Sequence, residues 1–186
     1  EGHGAAFESA ITKKVDAFVG YGFVDDVDLI TVGPSTWQAT AAKMQQAGTS
    51  WESALRATGG ALEVEGEDAT IKSHWFLISF EWTGRQWQYC DSESTPADLV
   101  LRDYKGEIKT LKRYEVSHAE RTLGVRLAPD GNNKSEFKHL REEIEKWADN
   151  IHSGHLPRRL VWESFTTGLL KKLEYPLPAT TFTKKE

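Results

Sequence analysis

The chain has 186 residues, a formal charge of −5 and 39% hydrophobic residues, enough for one domain or for a domain and part of a second, and too apolar for a disordered chain. The acidic balance excludes a uniformly basic nucleic-acid binder, but not local binding in which metal ions offset phosphate charge. A single Cys (Cys90) allows no internal disulfide, no run approaches the roughly 18 apolar residues of a membrane span, and Glu1-Gly2-His3-Gly4 is no signal peptide; together these read as an intracellular protein, in nucleus or cytoplasm, with no membrane partner.

Residues 17–32 hold two apolar runs on either side of Asp25 and Asp26, which predicts an antiparallel hairpin with the aspartates at or beside its turn. Gly33-Pro34-Ser35 stops the strand and offers Ser35 as a helix cap. Trp37, Ala41, Met44, Trp51 and Leu55 then recur at helical spacing as far as Gly59-Gly60, with Gly48 as a point of bending.

A β-rich stretch follows. His74 to Trp82 is densely apolar, and Thr83-Gly84-Arg85 is a turn into Gln86 to Cys90. Leu99, Leu101, Ile108 and Leu111 around Lys105-Gly106 predict a second hairpin with a two-residue turn. Thr122 to Leu127 reads as one more strand, closed by Pro129-Asp130-Gly131. After Asn133 the period becomes helical. Phe137, Leu140, Ile144, Trp147 and Ile151 share one face of a helix ending near Gly154. A second helix, marked by Leu156, Leu160, Val161, Phe165, Leu169 and Leu173, runs to Pro176, and the two stripes should face each other. The chain is therefore α+β, with a boundary at 129–133 that separates a region 1–130 from a helical region 131–186. Seven Trp imply an aromatic-rich core with rings to spare for a partner surface.

Asp25 and Asp26 are the residues with chemistry to explain. An Asp-Asp pair is ordinarily a polar turn. Inside an apolar stretch, however, two carboxylates are costly to desolvate, and a hard cation such as Mg²⁺ compensates them. Asp28 lies two residues further on, and the spaced oxygens and central Gly of an EF-hand are absent. His152 and His155, with His139 a helix away and no Cys, make a poor zinc set. Neither a Gly-x-Ser-x-Gly elbow nor a phosphate loop is present.

Phe23-Val24-Asp25-Asp26, within Val19-Gly20-Tyr21-Gly22 and Val27-Asp28-Leu29-Ile30, resembles the aromatic-x-Asp-Asp box of reverse transcriptases. The similarity continues in order. Trp51 to Leu62 is similar to the helix and turn after that box in retrotransposon-type enzymes. Lys72-Ser73-His74-Trp75-Phe76 is similar to the lysine-bearing strand, and Arg121 to Asn133 to the Leu-Gly strand that ends the palm. The resemblance spans essentially the whole chain and is nearest to the non-LTR type. Phe23 stands where the family often has Tyr, and Glu63 to Ile71 is longer than usual.

The resemblance implies the carboxy-terminal half of a polymerase palm, residues 1–130, followed by the start of a helical thumb, residues 131–186. It implies a fragment of an RNA-directed DNA polymerase working by two-metal nucleotidyl transfer. Asp25 and Asp26 would be catalytic and would hold Mg²⁺, with Mn²⁺ as substitute, and Lys72 would stand near the leaving pyrophosphate. Leu123, Gly124 and Val125 would hold the primer end. Arg158 and Arg159, on the polar side of the last helix, are the candidates for phosphate contact. RNA template, DNA primer and deoxynucleoside triphosphates are the implied partners. The family's first metal-binding Asp and its fingers lie upstream of the box, where only 22 residues precede Phe23. The chain, which begins with Glu and ends on Lys185-Glu186, is thus expected to be incomplete and inactive alone. Two other readings stay open: a non-catalytic interaction module derived from such an enzyme, and an unrelated α+β structural protein whose Asp-Asp is a turn.

Overall fold

The structure, a computed structural model, describes residues 4–23, 26–33, 36–62, 64 and 73–182, with Phe7, Phe18, Tyr21, Phe23 and Asp26 described in their backbone alone. It is mixed α+β, built from small two-stranded sheets and several helices. The chain divides into two compact units, Glu1–Glu115 and Val116–Glu186. The helices of the second unit therefore share it with strands that precede Pro129.

The first unit opens with an antiparallel pair absent from the sequence reading, β1 (Ala5–Glu8) with β2 (Val15–Phe18). Its long loop is closed locally, since Lys13 N–H donates to Ser9 O and Ser9 N–H to Lys14 O, both at 2.9 Å. A second hairpin joins β3 (Gly20–Phe23) to β4 (Asp26–Leu29). Helix α1 (Trp37–Ala57) begins at Thr36, whose side chain accepts from Ala39 N–H at 3.2 Å. The cap is thus Thr36, one residue beyond the expected Ser35, which lies outside the described residues. Nor does Gly48 interrupt the helix. It is buried, and a Cβ there would meet Leu101 Cδ2 at 3.2 Å, so the missing side chain makes room for packing.

The run His74 to Trp82 is two strands, β5 (His74–Phe76) and β6 (Phe80–Trp82). β6 pairs with β7 (Trp87–Tyr89) across the expected turn, where Thr83 N–H donates to Gln86 O at 3.1 Å. β8 (Val100–Arg102) pairs with β9 (Ile108–Thr110). Asp103 N–H reaches Glu107 O at 2.9 Å, so three residues, Tyr104-Lys105-Gly106, close this hairpin where two were expected. Asp103 Oδ1 accepts from Lys105 and Glu107 N–H, at 2.8 and 2.9 Å, and Gly106 supplies the positive φ (87°) that such a loop needs. β10 (Lys112–Tyr114) then returns to pair in parallel with β5, a crossover that local patterning does not reveal. Val64, Trp75, Leu77, Leu99, Leu101 and Leu111 form the core of this unit.

In the second unit, Thr122 to Leu127 is a hairpin rather than one strand: β11 (Glu120–Thr122) and β12 (Val125–Leu127) are joined by Leu123-Gly124. Both turn residues have positive φ, 48° and 92°, the requirement of a type I′ turn and a strain for Leu but not for Gly. Helix α2 (Lys134–Gly154) ends where expected, with His155 left-handed. The second helix is not uniform. α3 (Arg158–Ser164) passes into a π-helical turn, Phe165–Leu169, in which Leu170 N–H reaches Phe165 O, and then into α4 (Leu170–Glu174). The two helices meet at Trp147, which donates to Ser164 Oγ at 2.8 Å and lies 6.0 Å from the Phe165 ring. Leu169 is buried, but Ile144 and Leu160 are 41% and 45% exposed. The facing of the stripes is therefore partial: it holds around Trp147 and Phe165 and fails at Leu160.

Candidate functional site

The β3–β4 hairpin carries the aspartate box. Its register sets Gly20 against Leu29, Tyr21 against Asp28, Gly22 against Val27 and Phe23 against Asp26. Val24 and Asp25 alone remain to join the strands, and both lie outside the described residues. Ile30 N–H extends the ladder to Val19 O at 2.7 Å. Gly20 is demanded by close approach, because a Cβ there would fall 2.2 Å from Asp28 O. Asp26 thus opens β4 opposite Phe23, and Asp28 follows half-buried opposite Tyr21. The hairpin agrees with the sequence expectation over 20–29, whereas Ala17 and Phe18 belong to β2. Among the described residues, no three His, Cys, Asp or Glu side chains gather as a metal site.

Lys72 lies outside the described residues, two positions before β5. Downstream of it, His74 on β5 lies 5.4 Å from the Tyr114 ring of β10, and Lys112 Nζ sits 4.5 Å over that ring.

Leu123, Gly124, Val125, Arg158 and Arg159 belong to the second unit, Asp25, Asp26 and Lys72 to the first. Leu123 and Gly124 are the β11–β12 turn, and the last helical segment clamps them. Tyr175 Oη donates to Leu123 O at 2.7 Å, and a Cβ on Gly124 would lie 3.3 Å from Tyr175 Cε1. Val125 is buried, so its side chain belongs to the core and only its backbone could serve a ligand. Arg158 and Arg159 are exposed at the start of α3.

Three residues around that turn escaped the sequence reading. Arg121 and Arg126 stand opposite each other in the ladder, and Glu136 of α2, 2% exposed, accepts from Arg126 N–H at 2.8 Å. The signal was present in the spacing: Arg-Thr-Leu-Gly-Val-Arg places two arginines symmetrically about a dipeptide that turns.

No helix among the described residues is long and apolar enough to cross a membrane. Comparison with models of known families, with curated proteins and with solved structures finds no match for this chain.

Proposed function

We propose that this chain is a section of an RNA-directed DNA polymerase of the reverse-transcriptase type, with the palm residues in 1–130 and the first thumb helices in 131–186. The observation that supports this most is the register of the aspartate hairpin. Phe23 pairs with Asp26, so the backbone of the aromatic-x-Asp-Asp box spans the closed end of a two-stranded ribbon. Asp25 and Asp26 would hold Mg²⁺ or Mn²⁺, and Lys72 would stand near the departing pyrophosphate. When bound, the ion would supply Lewis-acid stabilisation of charge on the transferred phosphoryl group. The described residues do not complete such a centre by themselves. A further carboxylate and a surface that positions the nucleotide are needed, and positioning alone can account for roughly 7–11 kcal/mol of barrier. The 186-residue chain alone is accordingly proposed to be inactive, with RNA template, DNA primer and deoxynucleoside triphosphate as partners of the complete enzyme.

One observation favours the second reading, a non-catalytic interaction module of the same descent. Phe80, Trp82, Trp87 and Tyr89 pair across β6–β7 and remain 52%, 55%, 67% and 40% exposed. Primer extension on an RNA template, with Mg²⁺ and then Mn²⁺, separates the two. It compares this chain with one carrying an upstream segment able to supply the further carboxylate. Activity in the longer chain that Asp25→Asn abolishes supports the polymerase; activity in neither supports the module.

A further inference from the structure

We propose that the cleft between the 91–98 loop and β10 binds a small zwitterion of the free amino-acid class, its carboxylate on Arg113 and its ammonium on Asp98. The proposal does not draw on the metal reading of Asp25 and Asp26. The cleft has a volume of about 460 Å³ and is lined by Ser92, Pro96, Ala97, Asp98 and Arg113. That is within the roughly 300–1,000 Å³ of small-molecule sites.

Arg113 is a cation fixed before any ligand arrives. It stands on β10 opposite Trp75 of β5, and its guanidinium carbon lies 5.4 Å from the centre of the Trp75 ring. Nη1 donates to Thr95 O, and Nη2 donates to Thr95 Oγ1 at 2.7 Å. Thr95 is itself 2% exposed, and its hydroxyl donates onward to Asp91 O at 2.7 Å. A guanidinium has five N–H donors, so Thr95 takes two and leaves three. The ion pairs among the described residues do not include Arg113. Two neighbouring carboxylates are engaged elsewhere. Glu115 Oε1 accepts from Ser92 N–H at 3.1 Å, and Asp91 Oδ1 accepts from Ser94 N–H and Oγ at 2.8 and 2.7 Å. Those Ser94 bonds hold the Asp91 carboxyl below its ordinary range, with a smaller part from the Arg113 charge.

Asp98 supplies the opposite sign. It is exposed, lines the same cleft and forms no ion pair among the described residues, with Arg113 or with any other cation. A cation and an anion set in one cleft without meeting suit a ligand that carries both charges. A phosphate or a dicarboxylate would meet Asp98 and Asp91 as like charges. An α-amino acid matches the pair: its carboxylate can take two parallel N–H bonds from a guanidinium, and its ammonium donates to a carboxylate. Pro96 and Ala97, the latter packed on the core of this unit, give its side chain an apolar wall. Because Trp75 and Thr95 already hold Arg113, little side-chain ordering opposes binding.

The test is ligand-observed NMR of the twenty free amino acids against the chain, followed by titration of the tightest. Wild type should bind at least one of them saturably. Its N-acetyl and carboxamide derivatives, which remove the ammonium and the carboxylate in turn, should each bind about tenfold more weakly. Arg113→Lys, which loses the planar fork, should also weaken binding about tenfold. Since Arg113 supports the loop and stacks on Trp75, the exposed Asp98→Asn is the variant that keeps the test clear of misfolding. It should bind the free amino acid and the N-acetyl derivative alike, while still preferring both to the carboxamide. Asp25→Asn should leave this binding intact, whatever becomes of the polymerase reading. The proposal would be overturned by no saturable binding of any of the twenty up to its solubility, or by equal affinity of wild type for acid and carboxamide. An Asp98→Asn chain that still prefers the free form to the N-acetyl form would overturn it as well.

Discussion

In the first unit Glu52 of α1, 7% exposed, accepts from the N–H of Arg102 on β8 at 3.1 Å, while Gln45 brackets Val100 with both amide atoms at 2.8 and 2.9 Å. In the second unit Glu136 of α2 does the same for Arg126 on β12. Each is a buried helix carboxylate that satisfies the free N–H of an edge strand, a donor that would otherwise stay open inside the dock. The units differ in what compensates the charge. Glu52 pairs with Arg56 at 3.2 Å, and Arg56 Nη2 goes on to Asp103 O at 2.7 Å. Glu136 forms no ion pair among the described residues, and Arg121 and Arg126 are left facing each other. The same docking device is thus closed by an ion pair in one unit, while in the other the buried Arg126 Nη1 has no hydrogen-bond partner among the described residues.

The first dock should break hardest at its apolar contact. Leu101, 7% exposed and packed over Gly48, should cost about 2–5 kcal/mol on replacement by Ala, read from urea unfolding. Glu136→Ala should come next, at about 1–3 kcal/mol, because it strands the Arg126 N–H. Glu136→Gln keeps an acceptor and should recover most of that loss. Equal destabilisation by both variants would mean that charge, not the accepted hydrogen bond, holds β12. Trp147→Ala should cost about 2 kcal/mol in thermal melts, below the 3–5 kcal/mol of a fully buried ring, because Trp147 is half-buried.

The smallest effect lies on the surface of the second unit. Lys172, at 2.6 Å, lowers the carboxyl pKa of Glu143 from its ordinary value. A depressed folded pKa adds stability above the unfolded value and loses it as pH falls through the folded one. Solvent screening limits the pair to about 0.5 kcal/mol. Wild type should therefore melt slightly above Lys172→Ala at neutral pH, and the gap should close as pH falls through the lowered folded pKa of Glu143.

The helices and the aspartate hairpin were legible because their signals are local: apolar periodicity for α1 and α2, two apolar runs about a polar centre for β3–β4. What was missed depends on contacts distant in sequence or on backbone sign. Gly48 looked like a breaker because the sequence does not show Leu101 lying across it. The β5–β10 pairing joins strands separated by the four strands of two hairpins, and no spacing rule announces it. Leu123 hid the β11–β12 turn, since a large apolar residue at positive φ argues for a strand until the Tyr175 clamp is seen. The π-helical turn in 165–169 likewise has no sequence mark beyond Gly168.

The central claim is that Asp25 and Asp26 bind a divalent cation. The direct measurement is calorimetric titration of Mn²⁺, then Mg²⁺, into wild type, Asp25→Asn and Asp26→Asn, with thermal melts of each metal-free chain. The account predicts saturable binding in wild type, much weaker binding in both variants, and metal-free melting temperatures unchanged or slightly raised as like-charge repulsion is relieved. Equal affinity in all three chains would contradict it and return the pair to an ordinary polar turn.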